Sequence, residues 1–300
     1  MIDDPAEALD ILLEELKRQK AAGLRRVSVS DEAVATLKAL AGAPVTAPAA
    51  AAKSEHLAAA AVSRPSAPLP VAPKPAAVAP AMAIADAPIF TLPGGTKPER
   101  MQALRQLVDA CAETKKHLTG SHRALLGHGS LEAAVVFVGE APSLEEMEAG
   151  QAFAGASGEL LQKILGAAAI SPADYYLAPV MVWRPEPPTQ YGKRPPTARE
   201  LAFNLPYLRA QIDVVAPRIV VALGAQAFEA LHGRTPSITQ ARGQWFDLSG
   251  VPLMPTYHPN YLLHNPSASA KRAVWEDFLL AMEKLGLPIS EKQRGFFATN

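Results

Sequence analysis

The stretch that most constrains this chain is residues 134–143, Ala-Val-Val-Phe-Val-Gly-Glu-Ala-Pro-Ser. Its apolar run is short, β-branched and unbroken, the pattern of a strand covered on both faces. Gly139 and Pro142 end it abruptly. Glu140 is thereby left at the carboxyl end of a central strand, where open α/β sheets hold their ligands. The plainer reading is a Glu that caps a turn, and this stretch alone leaves both readings open. A second short strand, residues 252–256, ends in Tyr257-His258-Pro259-Asn260 and so brings a histidine into a tight turn at another strand end.

Around these two stretches the periodicity alternates. Strands are expected at 134–138, 175–182, 219–223 and 252–256, with a minor strand at 245–248. Helices are expected at 98–117, 157–169, 197–215, 226–231 and 268–285. Strands alternating with helices imply a parallel sheet covered on both faces. The folded domain is expected over residues 89–290, with 291–300 as a tail.

The part before it is different. Residues 5–22 show an amphipathic helical pattern with Leu9, Leu12, Leu13 and Leu16 on one face, and 31–41 suggest a second short helix. Residues 1–44 are too few to bury a core alone. They form a docking module for a partner protein, a helical tail, or a piece that packs back on the main domain. Residues 45–88 are mostly Ala and Pro, without the apolar bulk to offset the entropy of ordering, and read as a disordered spacer. The single cysteine, Cys111, excludes a disulfide framework and fits a reducing cytoplasm. No apolar run is long enough to span a bilayer, and the acidic start Met1-Ile2-Asp3-Asp4 has the wrong charge for an export signal, so a cytoplasmic monomer is expected. The zero net charge argues neither for nor against nucleic acid.

Taken together, Gly139-Glu140-Ala141-Pro142, the run Phe153-x-Gly155-x-x-Gly158-x-Leu160-Leu161, Arg184-Pro185, Arg242-Gly243 and Tyr257-His258-Pro259 resemble, in order and spacing, the uracil-DNA glycosylase superfamily, above all its branch called family 4. The resemblance covers residues 92–286. It implies a three-layer α/β/α fold around a central four-stranded parallel sheet. It also implies cleavage of the N-glycosidic bond of uracil or another deaminated base in DNA, a step of base excision repair. Such an enzyme must extrude the base, stabilise the uracil anion, and hold a water by the sugar. By the resemblance, Glu140 stands near sugar and water, His258 donates to uracil O2, and Phe153 stacks on the base beside Ala141 and Pro142. Ala152 and Ala154, in a Gly-bounded loop, suggest that Phe153 is an exposed platform. Ser143, Pro259 and Asn260 would meet phosphates, and Leu262 or Leu263 would be the apolar wedge. Arg184, Lys193, Arg194, Arg242, Lys271 and Arg272 offer a basic rim for DNA.

The sequence also departs from that branch. Its members usually carry four cysteines that hold an iron–sulfur cluster; here the corresponding positions read Cys111, Lys115, Trp183 and Asn204, so no cluster and no metal are expected. Pro179 stands where the branch has the Asn that reads the uracil edge, and no Asn occurs from Glu140 to Arg199. Ser143 and Met147 replace a Gly and an Asp. Two functions therefore remain: a glycosylase with relaxed base selectivity, or a glycosylase fold that has lost catalysis and serves as a DNA-binding or scaffold protein.

Overall fold

The computed structural model describes residues 84–186, 194–233 and 237–297. The helices expected at 5–22 and 31–41, most of the Ala/Pro spacer and Lys193 lie outside the described residues. Ile84, at the end of that spacer, is buried in the core, whereas Ile89 is fully exposed.

Helix α1 (Lys97–Ala110) starts at a reciprocal cap. The Thr96 hydroxyl accepts the Glu99 N–H, and the Glu99 carboxylate accepts the Thr96 N–H. The expected single helix over 98–117 is two, because Cys111 takes an extended backbone between α1 and α2 (Ala112–Lys116). There follow β1 (His128–Gly129), β2 (Val135–Gly139), α3 (Leu144–Ala149), α4 (Ala156–Ala167), β3 (Tyr175–Pro179), α5 (Ala198–Val215), β4 (Ile219–Leu223), α6 (Ala225–His232), α7 (Ile238–Ala241), β5 (Phe246–Leu248), β6 (Val251–Thr256), α8 (Pro259–His264), α9 (Ala268–Leu285) and α10 (Glu291–Arg294). Strand β3 stops at Pro179 and not at 182, since Val182 N–H turns away to the side chain of Asn204.

The sheet among the described residues has six strands in the order β1-β3-β2-β4-β6-β5. The inner pairs β3–β2, β2–β4 and β4–β6 are parallel, while β1 and β5 add antiparallel edges. The expected four-stranded parallel sheet is thus corrected to a mixed sheet. The physical reason is local. Ser249 and Gly250, both with positive φ, close a two-residue hairpin between β5 and β6. At the other edge Gly129 lets β1 approach closely, since a Cβ there would stand 2.6 Å from the Tyr175 carbonyl. The two residues of β1 carry too little periodicity to be read, whereas β5 falls within the minor strand expected at 245–248.

Side-chain alternation divides the core into two layers. Val136, Val138, Val220 and Ala222 face the cluster with α1 and α5; Val135, Phe137, Ile219 and Val221 face the cluster with α4 and α9. One polar network crosses the second layer. Asp277 of α9, 1% exposed, accepts two bonds from the Arg242 guanidinium (3.0 and 2.8 Å) and one from the Thr256 hydroxyl. Arg242 also donates to the Ala273 carbonyl. Gly243 is required beside it, because a Cβ there would lie 2.7 Å from the Asp277 carboxylate. The network pins the carboxyl end of β6 to α9. No described helix is long and apolar enough to cross a membrane.

Burial pushes the Asp277 carboxyl up to about 6, against the pull of Thr256 and Arg242. A folded-state value above the unfolded one means the native protein holds that proton more tightly. The contribution to stability is therefore full below the ordinary Asp range near 3.8 and is lost as pH rises through about 6. Relative to Asp277→Asn, the wild-type protein should gain stability as pH is lowered from 7 to 4, read from urea midpoints at each pH.

Candidate active site at the carboxyl edge of the sheet

The carboxyl ends of four neighbouring strands meet at one cavity of about 350 Å³, lined among others by Glu140, Phe153, Pro179, Arg184, Gln226 and His258. Strand β2 delivers Gly139-Glu140, β3 delivers Pro179, β4 delivers Gly224, and β6 leads into Tyr257-His258. Gly224 is the hinge of this convergence. Its φ is +94°, and a Cβ there would lie 2.6 Å from a Glu140 carboxylate oxygen and 3.2 Å from the His258 Cβ. Only a residue without a side chain lets the acid and the imidazole share that end of the sheet.

Phe153 sits in a left-handed conformation (φ +57°), a cost of about 1–3 kcal/mol for a non-glycine residue. It is held there from several sides. Its N–H donates to the Glu146 carboxylate at 2.6 Å. Gly139 makes room for the ring tip, and any Cβ on Gly158 would collide with the Phe153 carbonyl. The ring stacks near-parallel on His258, centroids 5.9 Å apart and planes at 14°. Phe153 is 8% exposed, so the expected exposed platform is instead a buried ring that shows the cavity only part of its surface.

Glu146 does a second job. Its carboxylate accepts both the N–H and the hydroxyl of Ser143 (2.8 Å each), and the Ser143 hydroxyl accepts the Glu146 N–H, closing a capping box at α3. Ser143, expected at phosphates, thus has its hydroxyl committed to the cap while still lining the cavity. Ala141 and Pro142 line the wall beside it, and Ala141 N–H donates to the Gln226 side-chain oxygen at 3.4 Å.

His258 is the N-cap of α8: its Nδ1 accepts the Asn260 N–H at 3.1 Å. A nitrogen that accepts a backbone N–H carries no proton, so in the neutral ring the proton stays on Nε2. Pro259, buried, occupies the first helical position, where a missing N–H costs nothing. The Asn260 side chain lines the cavity.

The expected rim and wedge are redistributed. Arg184 lines the cavity, as does Arg194, but Arg194 is engaged bidentately with Glu200, two bonds of 2.7 Å. Arg242 is tied to Asp277 and faces no opening of this cavity. Lys271 is exposed and borders a second cavity beside the first. Leu262 is 4% exposed and belongs to the core, which leaves Leu263, 42% exposed, as the projecting apolar side chain.

Four positions correspond to the cluster cysteines of the resembled branch: Cys111, Lys115, Trp183 and Asn204. Trp183 is fully buried, stacked on His117 (4.6 Å, 11°) and tilted against Phe203. The Asn204 amide accepts the Val182 N–H at 3.0 Å and donates to the Glu200 carbonyl at 2.8 Å. Lys115 is exposed; Thr114 is the residue buried one turn from Cys111. One thiol, one hydroxyl, an indole and an occupied amide do not fit a thiolate-bound cluster.

Three residues escaped the sequence reading. Gly224 had a signal, a glycine between the strand 219–223 and the following helix. Glu146 had one too, in the Ser-x-x-Glu spacing with Ser143. Gln226 had none, since a polar residue in the first turn of a helix is ordinary.

The model of the Uracil DNA glycosylase superfamily matches residues 126–279. Among curated relatives, a type-4 uracil-DNA glycosylase of Thermotoga maritima is 38% identical over 184 residues, 61% of this chain and 93% of the relative. Type-4 uracil-DNA glycosylases of Pyrobaculum aerophilum (33% identical; 56% of this chain, 86% of the relative) and Sulfurisphaera tokodaii (31%; 60% and 82%) match the same way.

Glu146 generates a structural test. Glu146→Ala removes the acceptor for the strained Phe153 amide, a bond to a charged group worth about 1.5–3 kcal/mol. Hydrogen exchange at the Phe153 amide should speed up about tenfold to a hundredfold while the β2 and β4 amides stay protected.

Proposed function

Because the chain belongs to the uracil DNA glycosylase superfamily, we propose that it hydrolyses the N-glycosidic bond of uracil, or of another deaminated base, in DNA as a step of base excision repair. The observation that carries this is the placement of His258, its Nδ1 turned to the Asn260 N–H of a helix cap, in the same cavity as Phe153 and Glu140.

In this reading the nucleotide swings out of the duplex and its base enters the cavity. As the bond between C1′ and the base nitrogen breaks, the electron pair leaves with the base and C1′ becomes oxocarbenium-like. His258 Nε2–H donates to the carbonyl oxygen where the negative charge develops, and that bond is stronger in the transition state than before it. Glu140, negatively charged, stabilises the cationic sugar and orients a water whose oxygen bonds to C1′. The water's proton passes to the carboxylate, and the products are a free base and an abasic site. Phe153 supports the base by its face. Asn260 and Arg184 meet phosphates, Ala141 and Pro142 shape the wall by the sugar, and Leu263 fills the vacated stack.

Pro179 brings no amide to the base edge. Two side-chain amides line the cavity, and with Asn260 assigned to a phosphate the one left for the base is Gln226, whose oxygen is turned to the Ala141 N–H and whose NH₂ is thereby the group on offer. A lone donor pairs with a carbonyl on the base edge and rejects an exocyclic amine. Uracil, hypoxanthine and xanthine share that carbonyl, so the reading is selective for deaminated bases as a class and poor among them. The chain works without an iron–sulfur cluster; Trp183 stacked on His117 supports this by supplying apolar area there.

The rival reading, a DNA-binding module without base release, draws on Pro179. Both are tested by single-turnover assays on uracil- and hypoxanthine-containing oligonucleotides. The wild type should release both bases, and His258→Ala should lose about 3 kcal/mol of barrier, on the order of a hundredfold in rate, with DNA binding little changed. Gln226→Ala should narrow the gap between uracil and cytosine. No release from any lesion would establish the binding module. Iron and acid-labile sulfide measured on the same purified protein should both be absent.

A further inference from the structure

Leu263 borders two cavities. Beside the base cavity lies a groove of about 420 Å³. Its walls are apolar: Leu160 and Ile164 of α4, Leu262 of α8, Val274 and Trp275 of α9, and Phe296 after α10. Lys163 and Lys271, both exposed, stand at its edge. The third wall is deliberately fastened. Ser290 and Gln293 form a capping box, Gln293 donates to the Ala167 carbonyl at 2.9 Å, and Trp275 Nε1–H donates to the Gln293 carbonyl at 2.7 Å. Residues 291–297, expected as a tail, are thereby part of the domain. They hold the Phe296 ring 5.0 Å from Trp275, 41% exposed.

We propose that this groove binds an unpaired nucleobase of the same DNA strand, next to the nucleotide whose base enters the first cavity, with Lys163 and Lys271 meeting the flanking phosphates. The proposal rests on the glycosylase reading for the occupant of the first cavity. Three observations carry it. The groove and the base cavity share one lining side chain, Leu263, so a strand that fills one passes the other. The two cations at its edge complement a phosphate backbone. The walls give a base edge nothing to hydrogen-bond, so they can hold only its apolar face, and a face is available only when the base is unstacked and unpaired. It follows that the groove is blind to base identity and favours single-stranded or unwound flanks.

The test uses the full chain and single-stranded oligonucleotides carrying 2′-fluoro-deoxyuridine, whose glycosidic bond resists cleavage. One set keeps every base; two others replace the nucleotide 5′ or 3′ of the lesion by an abasic spacer, which keeps the phosphate. Binding is read by fluorescence anisotropy. For the wild type, the spacer on one side should weaken binding about five- to 150-fold, the range for stacking one base on an aromatic side chain. Phe296→Ala should lose the same factor on the intact oligonucleotide and be indifferent to the spacer, and Ile164→Glu should do likewise. A spacer effect of equal size in wild type and both variants overturns the proposal, as does no spacer effect on either side. A wild-type chain that sediments as a dimer and ignores the spacers assigns the groove to a second copy and overturns it too. Base release from an ordinary uracil oligonucleotide is measured alongside. Release without coupling to Phe296 defeats the groove and leaves the glycosylase; coupling without release leaves the groove and defeats the glycosylase.

Discussion

The site depends on the absence of two Cβ atoms. At the end of β2, a Cβ on Gly139 would stand 2.5 Å from the Phe153 ring tip; at the end of β4, one on Gly224 would stand 2.6 Å from Glu140. Parallel strands splay their carboxyl ends into a crevice, and what fills it is decided by the residues just beyond. Here those residues are an acid, a ring and an imidazole, and the two glycines leave them room to crowd together. Replacing either glycine would move a reacting group before it touched stability elsewhere.

Around this crowding, local hydrogen bonds do the aiming. Ser143 and Thr197 start α3 and α5 with capping boxes, and His258 starts α8 with its own ring. Each cap fixes the angle at which the chain enters its helix, so helix starts set part of the cavity wall, and Arg184, Pro185, Arg194 and Pro195 of the connection between β3 and α5 complete it. The strained Phe153 backbone is affordable in this setting, because Glu146 gives back, through a charged hydrogen bond, an amount comparable to the cost. The Arg242–Asp277–Thr256 network holds the other wall by anchoring the strand that leads to His258.

The parts of this architecture that were legible in the sequence are those with a period or a punctuation mark. Val135 to Val138 and Ile219 to Leu223 announce buried strands by unbroken apolar runs rich in β-branched residues, and the helix expected at 268–285 is α9. Glu140, Phe153 and His258 drew attention because each stands at a strand end or in a glycine-bounded turn, and the fold brings the three to one cavity. What escaped has a common cause: it depends on partners distant in sequence. Nothing local tells that Arg242 is consumed by Asp277, 35 residues on, or that Leu262 turns inward while Leu263 turns out. The same holds for the groove wall formed by residues 291–297, whose polar sequence reads as a tail until Gln293 is seen bonded to Ala167.

The double use of one imidazole ring also has an evolutionary side. At position 258 a helix start and the proposed donor are the same ring, so drift cannot trade one against the other. Asn, Asp or Ser would keep the helix start, since all are good N-caps, and would discard the Nε2 donor. A descendant that gave up chemistry could therefore keep its shape through a single codon change. In this lineage, a short polar residue at that one position would be the mark of a retired active site inside an undamaged fold.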